Sequence, residues 1–248
     1  MIRTAWFYLV LVWSSVIHAG GVLIAALLGV KRRPGVGAGG IYDWGASDWG
    51  RDLIAAAGTP VEVEGLERIP RDQPVVYASN HSSMFDIWAL AATLPGSVRF
   101  VAKQELLRVP LVGRAMVAAG HVAIDRANRA RAFAAYERAA QVIRSGISAV
   151  VFPEGTRSRT GELLHFKNAP FGLAIAAQVP LVPVYVHNTF EILPKGGFRL
   201  RPRPIRLRVG EPIPTAGLTA EHRQQLADRT RAAILALRAR VDSGAASR

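Results

Sequence analysis

A histidine and an aspartate, His81 and Asp86, stand five residues apart in the segment YASNHSSMFD, residues 77–86. An apolar run over residues 74–78 predicts a buried strand before the histidine, and apolar residues at helical spacing follow the aspartate. The residues between them must therefore turn from strand to helix, which can bring the carboxylate back to the imidazole ring. Such a pair suits a general base, because the carboxylate fixes the tautomer of the histidine while its other ring nitrogen faces the substrate.

Two other kinds of site could use a histidine and an aspartate. A metal site needs more ligands, and no third His, Cys or carboxylate lies near the pair at ligand spacing. Ser82 and Ser83 suggest a Ser-His-Asp triad, but the chain has no G-x-S-x-G elbow. The pattern therefore favours a histidine base with an aspartate partner over a metal site or a covalent serine mechanism.

A second predicted strand, residues 147–152, leads directly into a loop of unusual composition. The loop sequence PEGTRS contains Glu154, Gly155, Thr156 and Arg157. Glycine gives the backbone freedom to turn, and a guanidinium can bind a phosphate through two parallel hydrogen bonds. The sequence therefore predicts an anion-binding loop at the end of this strand.

Four sequence blocks occur in one order along the chain. They are N-H-x4-D at residues 80–86, K-x-E-L-x-x-x-P-x-x-G at residues 103–113, F-P-E-G-T-R-S at residues 152–158 and V-P-L-V-P-V at residues 179–184. With these blocks, the sequence resembles the 1-acylglycerol-3-phosphate O-acyltransferases of the glycerophospholipid acyltransferase superfamily. The resemblance covers residues 61–211.

The resemblance implies a specific reaction. A fatty acyl group would pass from acyl-CoA or acyl-acyl carrier protein to the sn-2 hydroxyl of 1-acyl-sn-glycerol 3-phosphate (lysophosphatidic acid), giving phosphatidate. His81 would be the general base and Asp86 its orienting partner. A thiolate is a good leaving group, so the transfer can be direct, with no acyl-enzyme. The resemblance implies no metal and no redox cofactor; the acyl donor is a co-substrate.

The same resemblance assigns substrate-binding residues. Arg157 and Lys103 match the positions of the family blocks that supply cations to the acceptor phosphate. Gly155 and Thr156 would add backbone or hydroxyl donors. Glu154 would either shape the loop through internal hydrogen bonds or touch the glycerol.

Two alternative functions stay open at the level of sequence. The N-H-x4-D block marks acyl transfer and only weakly the acceptor, so a lyso-aminolipid or a lysophospholipid could take the place of lysophosphatidic acid. A non-catalytic basic protein that binds lipid or nucleic acid at a membrane surface is the other alternative. A pure binding protein would need neither a base with its orienting partner nor the FPEGTR loop, which argues against this second alternative.

The chain is strongly basic, with a formal net charge of +13. Such a charge indicates a polyanionic partner or surface. No zinc-finger pattern, RNP-type aromatic motif or clear helix-turn-helix signal is present, so we expect an anionic membrane surface and not a nucleic acid. The chain has no cysteine, which excludes disulfides, a thiolate-bound metal and a cysteine nucleophile.

Five arginines alternate with other residues late in the chain: Arg199, Arg201, Arg203, Arg206 and Arg208. One interpretation is the solvated face of a strand. The other is a surface that contacts lipid phosphates or the nucleotide phosphates of a CoA donor.

The N-terminal region has the composition of a membrane anchor. Residues 4–30 include no Asp, Glu, Lys or Arg, and as a helix they would be about 40 Å long, enough to cross a bilayer core or to lie within one leaflet. The cations at residues 31–33 would hold the rest of the chain on the cytoplasmic side. We therefore expect the protein at the cytoplasmic face of the cell membrane.

A glycine-rich hinge and a second helix are predicted to follow. Residues 34–40, PGVGAGG, break any preceding helix. Trp44 and Trp49 lie among charged residues in the predicted helix 41–57, which suits a helix at the membrane interface. The alternative is that this helix simply packs on the catalytic domain.

From residue 61 onward, predicted strands alternate with predicted helices. The strands are expected at 61–64, 75–79, 98–102, 121–124, 147–152, 181–186 and 205–209, and the helices at 87–94, 110–119, 128–145, 171–177 and 219–241. This alternation predicts an α/β fold with a mainly parallel central sheet flanked by helices. We divide the chain into membrane-anchoring helices, residues 1–58, and an α/β acyltransferase domain, residues 59–248. In such sheets ligands gather at the carboxyl ends of strands, so His81 and Glu154 can converge.

Overall fold

Seven strands form the central sheet of the computed structural model, which describes residues 1–32, 40–124 and 129–245. In chain order the strands are β1 (Val61–Glu64), β2 (Val76–Ser79), β3 (Val98–Lys103), β4 (Val122–Ile124), β5 (Ser148–Val151), β6 (Leu181–His187) and β7 (Ile205–Val209). They lie side by side in the order β1-β7-β6-β2-β5-β3-β4. Of the described pairs of strands, β6 with β7 is antiparallel and the others are parallel. The predicted α/β fold with a mainly parallel sheet is confirmed.

Eight α-helices accompany the sheet in the described ranges. They are α1 (Ile2–Leu27), α2 (Ile41–Ala57), α3 (Phe85–Thr93), α4 (Val112–Ala119), α5 (Arg129–Arg144), α6 (Phe171–Ala177), α7 (Thr189–Ile192) and α8 (Arg223–Ala245). The alternating side chains of the central strand β2 supply both cores, as expected for a strand that is buried on both faces. Tyr77 belongs to a cluster with residues of α1, α2 and α3, and Val76 and Ala78 belong to a cluster with residues of α5, α6 and α8.

The start of α3 differs from the sequence prediction. The helix begins at Phe85 and not at residue 87, so Asp86 lies in its first turn and not before it. Hydrogen bonds to local side chains explain the earlier start: the N–H of Phe85 donates to Oγ of Ser83 at 3.3 Å, and the N–H of Ser83 donates to the Asp86 carboxylate at 2.9 Å. These polar side chains satisfy backbone donors that a helix start leaves unpaired.

Other boundaries moved for similar local reasons. The helix predicted from residue 110 begins at Val112, because Leu111 has a positive φ (62°) that no α-helix contains. The four-residue helix α7 was not predicted, since one turn is too short to show a helical period. The predicted hinge, apart from Gly40, and the first residue of the helix predicted from 128 lie outside the described residues.

The two N-terminal helices pack against the sheet and its helices. Phe7 is fully buried, with its ring centroid 5.6 Å from those of Phe85 and Trp88. Asp43 of α2 forms an ion pair of 2.6 Å with the buried Arg99 of β3. The first helix nevertheless exposes much apolar surface, with the side chains of Trp6, Leu9 and Trp13 more than half exposed; Trp44 of α2 is exposed as well.

Candidate active site

The sheet brings the segment around His81 and the loop of residues 152–158 to the same edge. Strands β2 and β5 are parallel neighbours, with Ala78 paired to Val151, so both chains leave the sheet at the same side. His81 follows β2, and Phe152 follows β5. Their rings stack with centroids 4.0 Å apart and planes inclined by 19°. The convergence expected at the carboxyl ends of parallel strands is therefore present in the structure.

His81 and Asp86 are in direct contact. Nδ1 of His81 lies 2.8 Å from Oδ2 of Asp86. The same oxygen accepts the backbone N–H groups of Ser82 at 2.7 Å and Ser83 at 2.9 Å. Asp86 is fully buried, whereas the His81 side chain is 12% exposed. Because an ionised carboxylate only accepts, Nδ1 carries the proton and Nε2 keeps a lone pair for another proton.

Glu154 joins the two loops through backbone contacts. One carboxylate oxygen, Oε1, accepts the N–H of His81 at 2.7 Å, and Oε2 accepts the N–H of Leu164 at 2.9 Å. Burial raises the pKa of Glu154 to about 7, with the nearby charge of Asp86 acting in the same direction and the two backbone hydrogen bonds opposing it. Both oxygens are thus used inside the protein, as in the loop-shaping interpretation.

Residues 155–157 of the loop after β5 are more exposed than Glu154. Gly155 has φ 71°, a left-handed conformation that favours glycine, and its N–H donates to the carbonyl of Phe152 at 3.0 Å. Thr156 is exposed and Arg157 is half-buried. In the part of the chain that the structure describes, Arg157 has no hydrogen-bond or ion-pair partner, so its guanidinium donors are available for a ligand.

Lys103 lies at the same edge of the sheet but has a local partner. It is the last residue of β3, which is the parallel neighbour of β5. Its Nζ is 2.8 Å from the carboxylate of Glu105, and both side chains are more than half exposed. Lys103 and the loop that contains Arg157 therefore lie at the ends of neighbouring parallel strands.

Sequence reasoning missed two residues at this edge, Thr189 and Lys195. The Thr189 hydroxyl donates to Oδ1 of Asp86, and Nζ of Lys195 lies 3.0 Å from Oγ1 of Thr156. Both follow β6, the other parallel neighbour of β2. The available signal was that polar residues follow the strand of the V-P-L-V-P-V block, because the end of that strand reaches the same edge of the sheet.

The five alternating arginines between residues 199 and 208, the arginine stripe, fall into two groups. Arg206 and Arg208 of β7 face glutamates on the neighbouring strand β1: Arg206 is 3.3 Å from Glu62, and Arg208 contacts Glu64. These contacts favour the interpretation as a solvated strand face for this part. The arginines before β7 at 199, 201 and 203 are exposed.

Comparison with known proteins assigns the chain to a family. The profile of the family described as Acyltransferase matches residues 60–187, just over half of the chain. The chain belongs to this family. The resemblance drawn from the four sequence blocks is therefore confirmed.

Individual relatives of the acyltransferase are similar in sequence and in structure. A human protein named 1-acyl-sn-glycerol-3-phosphate acyltransferase alpha is 38% identical over 179 residues, which are 72% of this chain and 63% of the relative. A Cocos nucifera protein named 1-acyl-sn-glycerol-3-phosphate acyltransferase is 35% identical over 67% of this chain and 54% of the relative. The chain thus spans roughly half to two thirds of the length of these two relatives.

A solved structure extends the likeness over nearly the whole chain. The crystal structure of the 1-acyl-sn-glycerophosphate (LPA) acyltransferase PlsC from Thermotoga maritima superposes with a TM-score of 0.78 at 28% identity. The match covers 94% of this chain and 92% of that protein, so it includes most of the N-terminal helices as well as the sheet.

Proposed function

We propose that this acyltransferase transfers a fatty acyl group from a thioester donor, acyl-CoA or acyl-acyl carrier protein, to the sn-2 hydroxyl of 1-acyl-sn-glycerol 3-phosphate. The product is phosphatidate. The contact between His81 and Asp86, next to a loop whose Arg157 has no partner among the described residues, is the observation that carries the proposal. The names of the relatives support the choice of acceptor.

In the proposed mechanism, His81 is the general base. Its Nε2 takes the proton of the acceptor hydroxyl as the oxygen forms a bond to the thioester carbonyl carbon. Asp86 holds the ring through Nδ1–H and stabilises the imidazolium that forms. The C–S bond then breaks, and the imidazolium returns its proton to the departing thiolate. Stacking on Phe152 limits the positions open to the ring, which helps to keep Nε2 aimed at the substrate.

The acceptor phosphate is proposed to bind at the loop of residues 154–157. Arg157 can hold two phosphate oxygens with its planar donors, and Gly155 and Thr156 supply the turn and a hydroxyl. Lys103 contributes charge from the neighbouring strand end, and Lys195 adds a cation beside Thr156. The role proposed for Glu154 is to position the loop, because both its oxygens already accept backbone N–H groups.

We further propose that residues 1–58 seat the protein on the cytoplasmic face of a membrane and that residues 59–248 carry out catalysis. By length and composition, α1 is the helix in the described ranges that could cross a membrane. It packs along α2 and α4, however, while its other side exposes apolar side chains. This arrangement supports a helix that lies in one leaflet, where an amphiphilic lyso-lipid would also be found.

A panel of acceptors tests the proposal. Purified protein would be given acyl-CoA or acyl-acyl carrier protein together with lysophosphatidic acid, a lysophospholipid, a lyso-aminolipid or monoacylglycerol, with His81→Ala as the inactive control. We expect phosphatidate from lysophosphatidic acid as the fastest product. Faster transfer to a lyso-lipid without a terminal phosphate would replace the acceptor assignment, and no transfer to any acceptor would favour the non-catalytic alternative.

A further inference from the structure

The two oxygens of the Asp86 carboxylate are held very differently. Oδ2 is contacted by three donors: Nδ1–H of His81 and the backbone N–H groups of Ser82 and Ser83. Oδ1 is contacted by the hydroxyl of Thr189, which is its one partner in the part of the chain that the structure describes. Thr189 lies 103 residues further along the chain, at the start of α7, and is itself buried.

The hydroxyl groups around Asp86 can be assigned as donors or acceptors. An ionised carboxylate has no proton to give, so the single hydroxyl proton of Thr189 points to Oδ1. The hydroxyl of Ser82 lies 3.0 Å from Oγ1 of Thr189, and it must therefore be the donor in that contact. The result is a buried chain of hydrogen bonds from Ser82 through Thr189 to Asp86.

Hydrogen bonds on both sides of Thr189 hold its segment in place. The side-chain amide of Asn80 accepts the N–H of Val186 and donates to the carbonyl of the same residue, both at 2.8 Å. These bonds connect the end of β6 to the loop of residues 80–84, the histidine loop. The hydroxyl of Ser83 donates to the carbonyl of Leu193 at 2.7 Å, just beyond α7. The segment from the end of β6 to Leu193 is thus attached to the histidine loop on both sides of Thr189.

We propose that Thr189 is a positioning residue for acyl transfer, and the inference rests on the proposed role of His81 and Asp86. A carboxylate rotates readily about its last side-chain bond, because that torsion has a broad energy well. The three donors hold Oδ2 on one side of the carboxylate, and the hydroxyl on Oδ1 adds the restraint on the other side, so that rotation would break contacts at both oxygens. Thr189 thereby helps to hold the plane of the carboxylate, and through it the tautomer and the direction of the His81 ring.

The first test compares Thr189→Val with Thr189→Ser. Valine keeps the shape of threonine but has no hydroxyl, and serine keeps the hydroxyl. We expect Thr189→Val to lower kcat by about tenfold, the worth of one hydrogen bond to a charged group, with the KM of donor and acceptor changed less than twofold. Thr189→Ser should retain most of the parent kcat. Equal losses in the valine and serine variants, or a loss confined to KM, would overturn the proposal.

A matched control and a second variant separate positioning from folding. Thr230 is also fully buried, and its hydroxyl donates to the carbonyl of Leu226 within α8. Thr230→Val therefore removes the same atoms without touching Asp86, and we expect it to leave kcat unchanged. If Thr189→Val fails to fold, Thr189→Ala replaces it with the same expected fall in kcat.

A double-mutant cycle asks whether Thr189 acts through Asp86. In the Asp86→Asn background, Thr189→Val should change kcat less than twofold, because the group that Thr189 positions is already impaired. A full tenfold loss in that background would show that Thr189 works by another route and would overturn the proposal.

A spectroscopic readout that needs no substrate completes the test. The ring-nitrogen NMR signals of His81 should show the tautomer with the proton on Nδ1 in the parent protein and a mixture of tautomers in Thr189→Val. Unchanged ring signals would overturn the positioning role, whether or not the parent protein transfers acyl groups. Absence of acyl transfer by the parent protein, together with the expected NMR change, would instead contradict the proposed function alone.

Discussion

The backbone N–H of His81 donates to Oε1 of Glu154 across 2.7 Å, although 73 residues separate the two in the chain. The other oxygen of Glu154 accepts the N–H of Leu164. One buried carboxylate therefore joins the histidine loop to the loop of residues 152–158. The sequence left two roles open for Glu154, loop structure and substrate contact. These two contacts favour the role in loop structure.

Substitution of Glu154 by Gln should change how stability depends on pH. Burial raises the pKa of Glu154 from 4.5 to about 7, so between these pH values the folded protein keeps a proton that the unfolded chain releases. The free energy of unfolding of the parent, minus that of Glu154→Gln, should therefore be largest below pH 4.5. It should fall by on the order of 3 kcal/mol as pH rises to 7, and stay level above that.

Urea unfolding in detergent solution at several pH values measures this difference. Glu162→Gln is a suitable control, because the ion pair with Arg238 shifts the pKa of Glu162 in the opposite direction, below its usual value. A difference between parent and Glu154→Gln that does not vary between pH 4.5 and 7 would mean that Glu154 ionises like an exposed glutamate.

Loss of the base should abolish most activity without unfolding the protein. We expect His81→Ala to lower the rate of acyl transfer by about 10²-fold to 10⁴-fold, the usual contribution of a positioned general base. Asp86→Asn should lose a substantial part of the same factor. The two losses should not add, because both substitutions disable one unit. Steady-state assays of the single and double variants measure these rates, and circular dichroism checks that each variant is folded. A double variant far slower than either single variant would refute the shared role.

Removal of Arg157 should weaken acceptor binding selectively. Charge-assisted hydrogen bonds contribute roughly 1.5–3 kcal/mol, so Arg157→Ala should lower kcat/KM for lysophosphatidic acid by about 10-fold to 150-fold while the donor KM stays nearly constant. Arg157→Lys should not restore the parent value, because an ammonium lacks the planar pair of donors. Lys103→Ala should act in the same direction but less strongly, since Lys103 already pairs with Glu105.

Monoacylglycerol, which lacks the phosphate, is the control substrate for the arginine. The parent enzyme should use it poorly, and Arg157→Ala should slow it little further. If Arg157→Ala slows both acceptors by the same factor, the arginine serves the loop or the oxyanion and not the phosphate.

Membrane binding should depend on the exposed face of α1 more than on the arginine stripe. Leu9 and Trp13 are 63% and 66% exposed, so Leu9→Glu with Trp13→Glu should release the full-length protein from liposomes while the fold is retained. Arg199→Glu with Arg201→Glu is the comparison variant, in which two exposed cations that could contact lipid phosphates are reversed in charge. Liposome flotation in low and high salt provides the measurement. Release by the arginine substitutions and not by those in α1 would assign membrane binding to charge.

The sequence alone determined much of this protein, because the relevant signals are local. Alternating apolar runs predicted the strands and helices of the sheet, and the short spacing of His81 and Asp86 limited how a turn could arrange them. The uncharged stretch at residues 4–30 likewise predicted a long apolar helix, which is present as α1.

Tertiary structure decided which distant groups meet. Strand order is not written in local periodicity, so only the folded sheet shows that β2 lies between β5 and β6. That order brings Glu154 to the backbone of His81 and Thr189 to the carboxylate of Asp86, contacts between residues that are 73 and 103 positions apart. It also places Lys195 beside Thr156. Which donors and acceptors are satisfied depends on close packing between distant segments, and no spacing along the chain encodes it.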